Sequence, residues 1–169
     1  MGVGESWPWF RILKVSPSRH AAAIRRVAVA GAMCFCFVVS APSVAFADGS
    51  LRVTVSGVSN ANGVVHVTLY DNAADYPNGG FAHAETVAAT EGAVTVTFED
   101  LPPGDYALSV LHDEDEDGEV RTSAVGIPRE GVGVSNNYLR GMRRPSFARS
   151  LFAHEGDTVV TVVLRYYGG

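Results

Sequence analysis

From residue 49 onward the chain alternates apolar and polar side chains in short runs. Leu51, Val53 and Val55 alternate with Arg52, Thr54 and Ser56, the period of two that marks a strand buried on one face. The turn-forming "NANG" follows, and Val65, Val67 and Leu69 repeat the pattern in "VVHVTLY". With Gly63 just before the second run, the two are predicted to pair as a hairpin. A polar excursion, "DNAADYPNGG", precedes a weaker strand within "AETVAAT", and "AVTVTF" then places Val94, Val96 and Phe98 on one face. After the tight connection in "EDLPPG", Tyr106, Leu108 and Val110 alternate with Ala107, Ser109 and Leu111, and His112 falls in phase with the first set. The run "DTVVTVVLRYY" supplies Val160, Val162, Leu164 and Tyr166 to a last strand. A helical period is not sustained anywhere in this part of the chain, and "PSFARSLFAH" has room for one short helix.

Short strands separated by turn chemistry predict an all-β fold, a single antiparallel β-sandwich of immunoglobulin-like or transthyretin-like type. Between Gly118 and Pro145 runs a long Gly-, Pro- and Asn-rich loop, "GEVRTSAVGIPREGVGVSNNYLRGMRRP". Loops of that length in a compact domain are usually functional or disordered.

The first 47 residues differ in character. Arg11, Lys14, Arg19, Arg25 and Arg26 stand against the single acid Glu5, the apolar run Val27 to Val39 follows, and the segment closes in "APSVAFA". A basic start, an apolar middle and small residues at Ala45 and Ala47 predict a cleavable signal peptide over residues 1–47, cut before Asp48. The rival reading is a retained membrane anchor; Pro42 and the Ala-x-Ala ending favour cleavage. The expectation is a periplasmic or secreted protein with residues 48–169 as its β-sandwich domain and no membrane insertion after cleavage. Cys34 and Cys36 both lie in the apolar run, so the exported part carries no disulfide framework.

Removing the basic leader changes the charge. Residues 48–169 hold 17 acids against 8 arginines and no lysine, a net charge of −9 with histidine neutral. Such a surface disfavours nucleic acid and anionic membranes and favours cations or basic partners.

Six of those acids fall between Asp113 and Glu119, in "HDEDEDGEV". Asp113, Asp115, Asp117 and Gly118 follow D-x-D-x-D-G, the opening of a calcium loop in which alternate side chains converge on one ion and glycine allows the sharp turn. Glu119 would offer its carbonyl, but Arg121 and Ala124 stand where the later EF-hand ligands belong, and no helix flanks the loop. The chain is therefore not an EF-hand. A strand-borne loop completed by Glu130 remains as a Ca²⁺-like site, against the alternative of a solvated acidic turn. His112 has two readings as well: metal or acid/base chemistry beside the aspartates, or a hydrogen-bonded histidine at the edge of the core that holds the loop. His66, His83 and His154 show no zinc-hydrolase spacing.

The acidic loop, then "GIPREGVGVSNN", then "RPSFARSLF", resemble the bacterial domain of unknown function 2141 family, from Leu51 to Tyr166. The matching positions are His112 to Asp115, Asp117 and Gly118; Gly126, Pro128, Glu130, Gly131, Gly133, Ser135, Asn136 and Asn137; and Pro145, Ser146 and Phe147. Where the family carries asparagines in the loop this chain has Asp115 and Asp117, and where it carries an acid this chain has Arg121. That arginine either quenches a ligand position or pairs with a surplus carboxylate. The resemblance implies an exported β-sandwich and no particular activity. The second motif also has a purely architectural reading, with glycines at positive φ, Pro128 in a rigid turn, and Asn136 and Asn137 bonding to backbone.

Three functions follow as expectations. The first is a binding module whose loop is ordered by a cation and presents a surface to an envelope protein or glycan. The second is a hydrolase using His112 with Asp113, Glu130 or Ser135. The third is an accessory envelope protein without a ligand site.

Overall fold

The computed structural model describes residues 47–77, 79–121, 123, 124, 127–139 and 143–168. The predicted signal peptide therefore lies, but for Ala47, outside the described residues. Among the described residues no helix is long and apolar enough to cross a membrane.

Among the described residues eight strands form two sheets. β1 (Gly49–Val58), β4 (Gly92–Leu101) and β8 (Thr158–Val163) make one, in the order β4-β1-β8. The other runs β3 (His83–Ala88), β2 (Val64–Tyr70), β5 (Gly104–Asp113), β6 (Gly131–Val134), with β7 (Phe152–His154) also paired to β5. The apolar phase of each amphipathic strand points between the sheets: Leu51, Val53 and Val55 from β1, Val96 and Phe98 from β4, and Val162 from β8 meet Val65, Val67 and Leu69 from β2 and Leu108 and Val110 from β5. The all-β sandwich expected from the alternation is the fold observed. The α-helix α1 (Phe147–Ser150) is a single turn inside the segment predicted to have one.

Three expectations are corrected. β1 and β2 do not form a hairpin, because β1 is already paired on both edges, with β4 and β8, and β2 with β3 and β5. Ser59 to Gly63 instead carry the chain from one sheet to the other, so that the two apolar faces oppose each other rather than lie side by side. The sandwich is also not purely antiparallel: β1 and β8 run parallel from Leu51↔Thr158 to Ser56↔Val163. Finally, the long loop contains β6, all four of whose residues are buried. Its Gly-Val-Gly-Val sequence reads as loop because glycine packs poorly in a strand, yet the glycines are what the packing needs. A Cβ on Gly131 would come within 2.5 Å of the Tyr166 ring, and one on Gly133 within 2.6 Å of Val162.

β5 is buried on both faces from Tyr106 onward. Its second face is covered by the β2–β3 connection and by the segment after β6, through Tyr70, Tyr76, Phe147 and Leu139. After Val163 the chain leaves β1 and Arg165 exchanges two backbone hydrogen bonds with Val132 of β6, which ties the sheets together at that edge.

Candidate functional site

The acidic loop leaves the end of β5. Pairing of β5 with β6 sets Gly131 opposite His112, so Glu130 falls beside Asp113, where the loop begins. Glu130 is fully buried. One carboxylate oxygen accepts the Glu114 N–H at 3.1 Å and the other the Arg121 N–H at 2.6 Å. A single side chain thus pins both ends of the loop. Burial pushes the Glu130 carboxyl above the usual range; the two backbone donors oppose that shift, and the charges of Asp113 and Asp115 add to it.

His112 lies beneath the loop with no solvent exposure. Its Nε2 is 2.9 Å from the Asn62 carbonyl and its Nδ1 is 2.7 Å from the Tyr166 hydroxyl. A carbonyl can only accept, so Nε2 carries the proton and Nδ1 accepts from Tyr166, whose oxygen in turn accepts the Ser59 N–H at 3.0 Å. Both ring nitrogens are occupied by this chain of bonds, which joins the β1–β2 crossover, β5 and the C-terminal segment. The architectural reading of His112 is the one the geometry supports. Gly63 belongs to the same junction: at φ +66° its α-carbon rests on the Asp113 and Glu114 backbone, where any Cβ would collide with the Asp113 carbonyl oxygen.

Within the loop, Asp113 is fully buried. Its Oδ2 accepts the Gly118 N–H at 2.8 Å and lies 3.4 Å from His66 Nε2. Its Oδ1 has no hydrogen-bond partner among the described residues. Asp115 and Asp117 are exposed, and one carboxylate oxygen from each of Asp113, Asp115 and Asp117 lies within 4.8 Å of the others. Glu119 and Glu130 are not members of this group. Glu119 donates its N–H to Asp117 Oδ1 at 2.7 Å, and both oxygens of Glu130 face backbone donors. Positive φ at Glu116 (59°) and Gly118 (76°) folds the loop back on itself. Arg121 reaches Glu114 and Asp115, each at 3.6 Å, so it pairs internally, and one of its partners is a member of the three-aspartate group.

Ser135 is placed elsewhere. It is buried at the far end of β6, where its hydroxyl accepts the Leu108 N–H at 2.9 Å and donates to the Ser150 carbonyl. Five residues of extended chain at ~3.3 Å each separate it from Glu130, roughly 16 Å. His112, Glu130 and Ser135, the alternative catalytic group, are thus not assembled into one constellation, and the polar atoms of each are spent on internal bonds. The neighbouring asparagines serve the backbone too. Asn136 donates to the Arg149 and Leu151 carbonyls, and Asn137 accepts the Val163 N–H at 2.7 Å while its amide faces the Thr161 carbonyl, closing hydrogen-bonding positions on the edge strand β8.

Sequence reasoning gave His66, Tyr166, Asn60 and Gly63 no role at the acidic loop. His66 had a readable signal: it is out of phase with Val65, Val67 and Leu69, which puts it on the same sheet face as Asp113. Asn60 donates to Glu114 Oε1 at 3.1 Å, a contact between segments that no local pattern reveals.

A two-sheet all-β protein with a clamped acidic loop at one end of its central strand is the class these features define. The family model described as "Uncharacterized protein conserved in bacteria (DUF2141)" matches residues 53–162, and the chain belongs to that family. No curated protein matches the chain, and no solved structure does.

Proposed function

We propose that the protein is an exported binding module whose acidic loop takes a hard divalent cation of the Ca²⁺ class, and that the ordered loop is the surface met by an envelope protein or glycan. The observation that carries this reading is Asp113 Oδ1, a buried carboxylate oxygen without a partner among the described residues, in a group with Asp115 and Asp117. Its other oxygen has the Gly118 N–H and His66; leaving Oδ1 buried without a partner costs about 1–3 kcal/mol, and a cation shared with the two neighbouring aspartates supplies that partner. The donor set is all oxygen, which suits Ca²⁺ rather than zinc or copper. Two oxygens bound to one Ca²⁺ at ~2.4 Å can be at most ~4.8 Å apart, and the three carboxylate oxygens lie within 4.8 Å of one another. Glu130 then acts from behind, fixing the backbone from which the ligands project, and the basic start and apolar run of residues 1–47 support export to the periplasm or outside the cell.

Calorimetric titration of chelator-treated protein with Ca²⁺ and Mg²⁺ is the test. Wild type is expected to give saturable heat with Ca²⁺, and native-state binding at 100 times Kd to add about 2.7 kcal/mol to stability. Asp113→Asn keeps an oxygen for the Gly118 N–H while removing the charge, and is expected to weaken Ca²⁺ by more than tenfold without unfolding. Flat titrations of wild type with both ions would sink the reading.

A further inference from the structure

A second charged feature has the opposite sign. Of the 8 arginines in residues 48–169, four stand at Arg140, Arg143, Arg144 and Arg149. Arg143, Arg144 and Arg149 line a cleft of about 440 Å³ together with Tyr138, Pro145 and Ser146. This domain has twice as many acids as arginines, and Arg121 pairs with two carboxylates. Among the described residues none pairs with Arg143, Arg144 or Arg149. Three like charges gathered without a counter-charge repel one another, and an anion in the cleft removes that repulsion.

The cleft is also built before any ligand arrives. The Arg149 guanidinium stacks over the Tyr138 ring, 4.7 Å from its centroid, a cation–π contact that restrains it. Arg144 donates to the carbonyl of Tyr76, and Tyr76 is itself buried, bonded to Ser150 at 2.9 Å and packed edge-on against Phe147. Pro145 is buried between the arginines and α1. Less freedom is therefore lost on binding than three loose surface arginines would lose.

We propose that this cleft is a binding site for a small phosphomonoester. A planar carboxylate can meet at most two guanidinium forks in its plane, whereas a tetrahedral dianion presents oxygens to three donors arriving from different directions, with the Ser146 hydroxyl as a further donor. The net charge of −9 on residues 48–169 disfavours a polyanion or an anionic bilayer at the same cleft, so the ligand is a free, small ester. None of the cleft's named lining residues belongs to the acidic loop, and the proposal does not depend on a cation there.

The test is a titration of the purified protein, followed by NMR or calorimetry, with glycerol 3-phosphate, inorganic phosphate and acetate, and in parallel with vesicles containing phosphatidic acid. Saturable binding of both phosphates, at least tenfold stronger than acetate and falling as ionic strength rises, is expected. The double variant Arg143→Gln/Arg149→Gln, which leaves Arg144 on the Tyr76 carbonyl, is expected to weaken it by about tenfold for each guanidinium removed. Circular dichroism of that variant should match wild type, since both side chains are exposed. Equal affinity for acetate, unchanged binding by the double variant, or binding only when phosphate is presented on vesicles would each overturn the proposal.

Discussion

The acidic loop and the Ser135–Asn137 turn sit near the two ends of β6, and both look like sites in the sequence: polar, glycine-flanked and next to a buried strand. They differ in the completeness of their hydrogen bonding. At the turn, the Ser135 hydroxyl both accepts and donates, and the two asparagine side chains bond to backbone of α1 and β8. At the loop, the clamp residues Glu130 and His112 are just as fully used, but Asp113 Oδ1 is left over. A polar cluster that closes on itself is architecture, and one that leaves a buried carboxylate oxygen unpartnered points to something outside the chain.

That contrast can be broken at several points. The largest effect is expected at the turn: Ser135→Ala leaves the Leu108 N–H and the Ser150 carbonyl buried without partners, a loss of about 3 kcal/mol at roughly 1–3 kcal/mol for each group. Denaturant unfolding would measure it, and Ca²⁺ heats should be unchanged; a loss of Ca²⁺ binding would erase the distinction between the two regions. Next comes Glu130→Gln. An amide cannot accept both backbone N–H groups, so the loop is released at one end, at about 2 kcal/mol. The effect depends on pH. Because the folded carboxyl titrates above its ordinary range, the native state binds the proton more tightly. The associated stability is present below the ordinary glutamate pKa and is lost as pH rises through the raised value. Wild-type stability relative to the variant should therefore fall across that interval, and a slope of opposite sign would show that the clamp is not desolvated. The smallest effect is expected for Asn137→Ala, about 1 kcal/mol, because the β8 backbone groups it releases can turn to water. A rise in self-association, read by light scattering, is expected with it, since an uncapped edge strand offers itself for pairing.

Much of the sandwich was legible because its strands are amphipathic: one buried face forces period two, and period two survives in β1, β2 and β4. What escaped was pairing. Nothing in the alternation of β1 says that its neighbours are β4 and β8 rather than β2, and β6 was hidden because close packing against Tyr166 and Val162 requires glycine where strand propensity asks for β-branched residues. The site divides in the same way. The spacing of Asp113, Asp115 and Asp117 was readable as chain-local geometry. The burial of Asp113 and the double clamp by Glu130 depend on the β5–β6 register, which the local sequence does not contain.

The parallel pairing of β1 with β8 bears on how the molecule comes into being. Ser50 and Asp157, bonded at 2.9 Å, are 107 residues apart, so the first strand waits for the last before its sheet is complete. Closing so long a span has its entropic cost before most of the contacts that reward it exist. Chain emerging N-terminus first can form the β2–β5 ladder early, while one flank of β1 stays open, apolar on its inner face, until the final strand docks. The protein is thus zipped shut by its own tail, and a chain truncated before residue 158 is expected to remain adhesive rather than merely less stable.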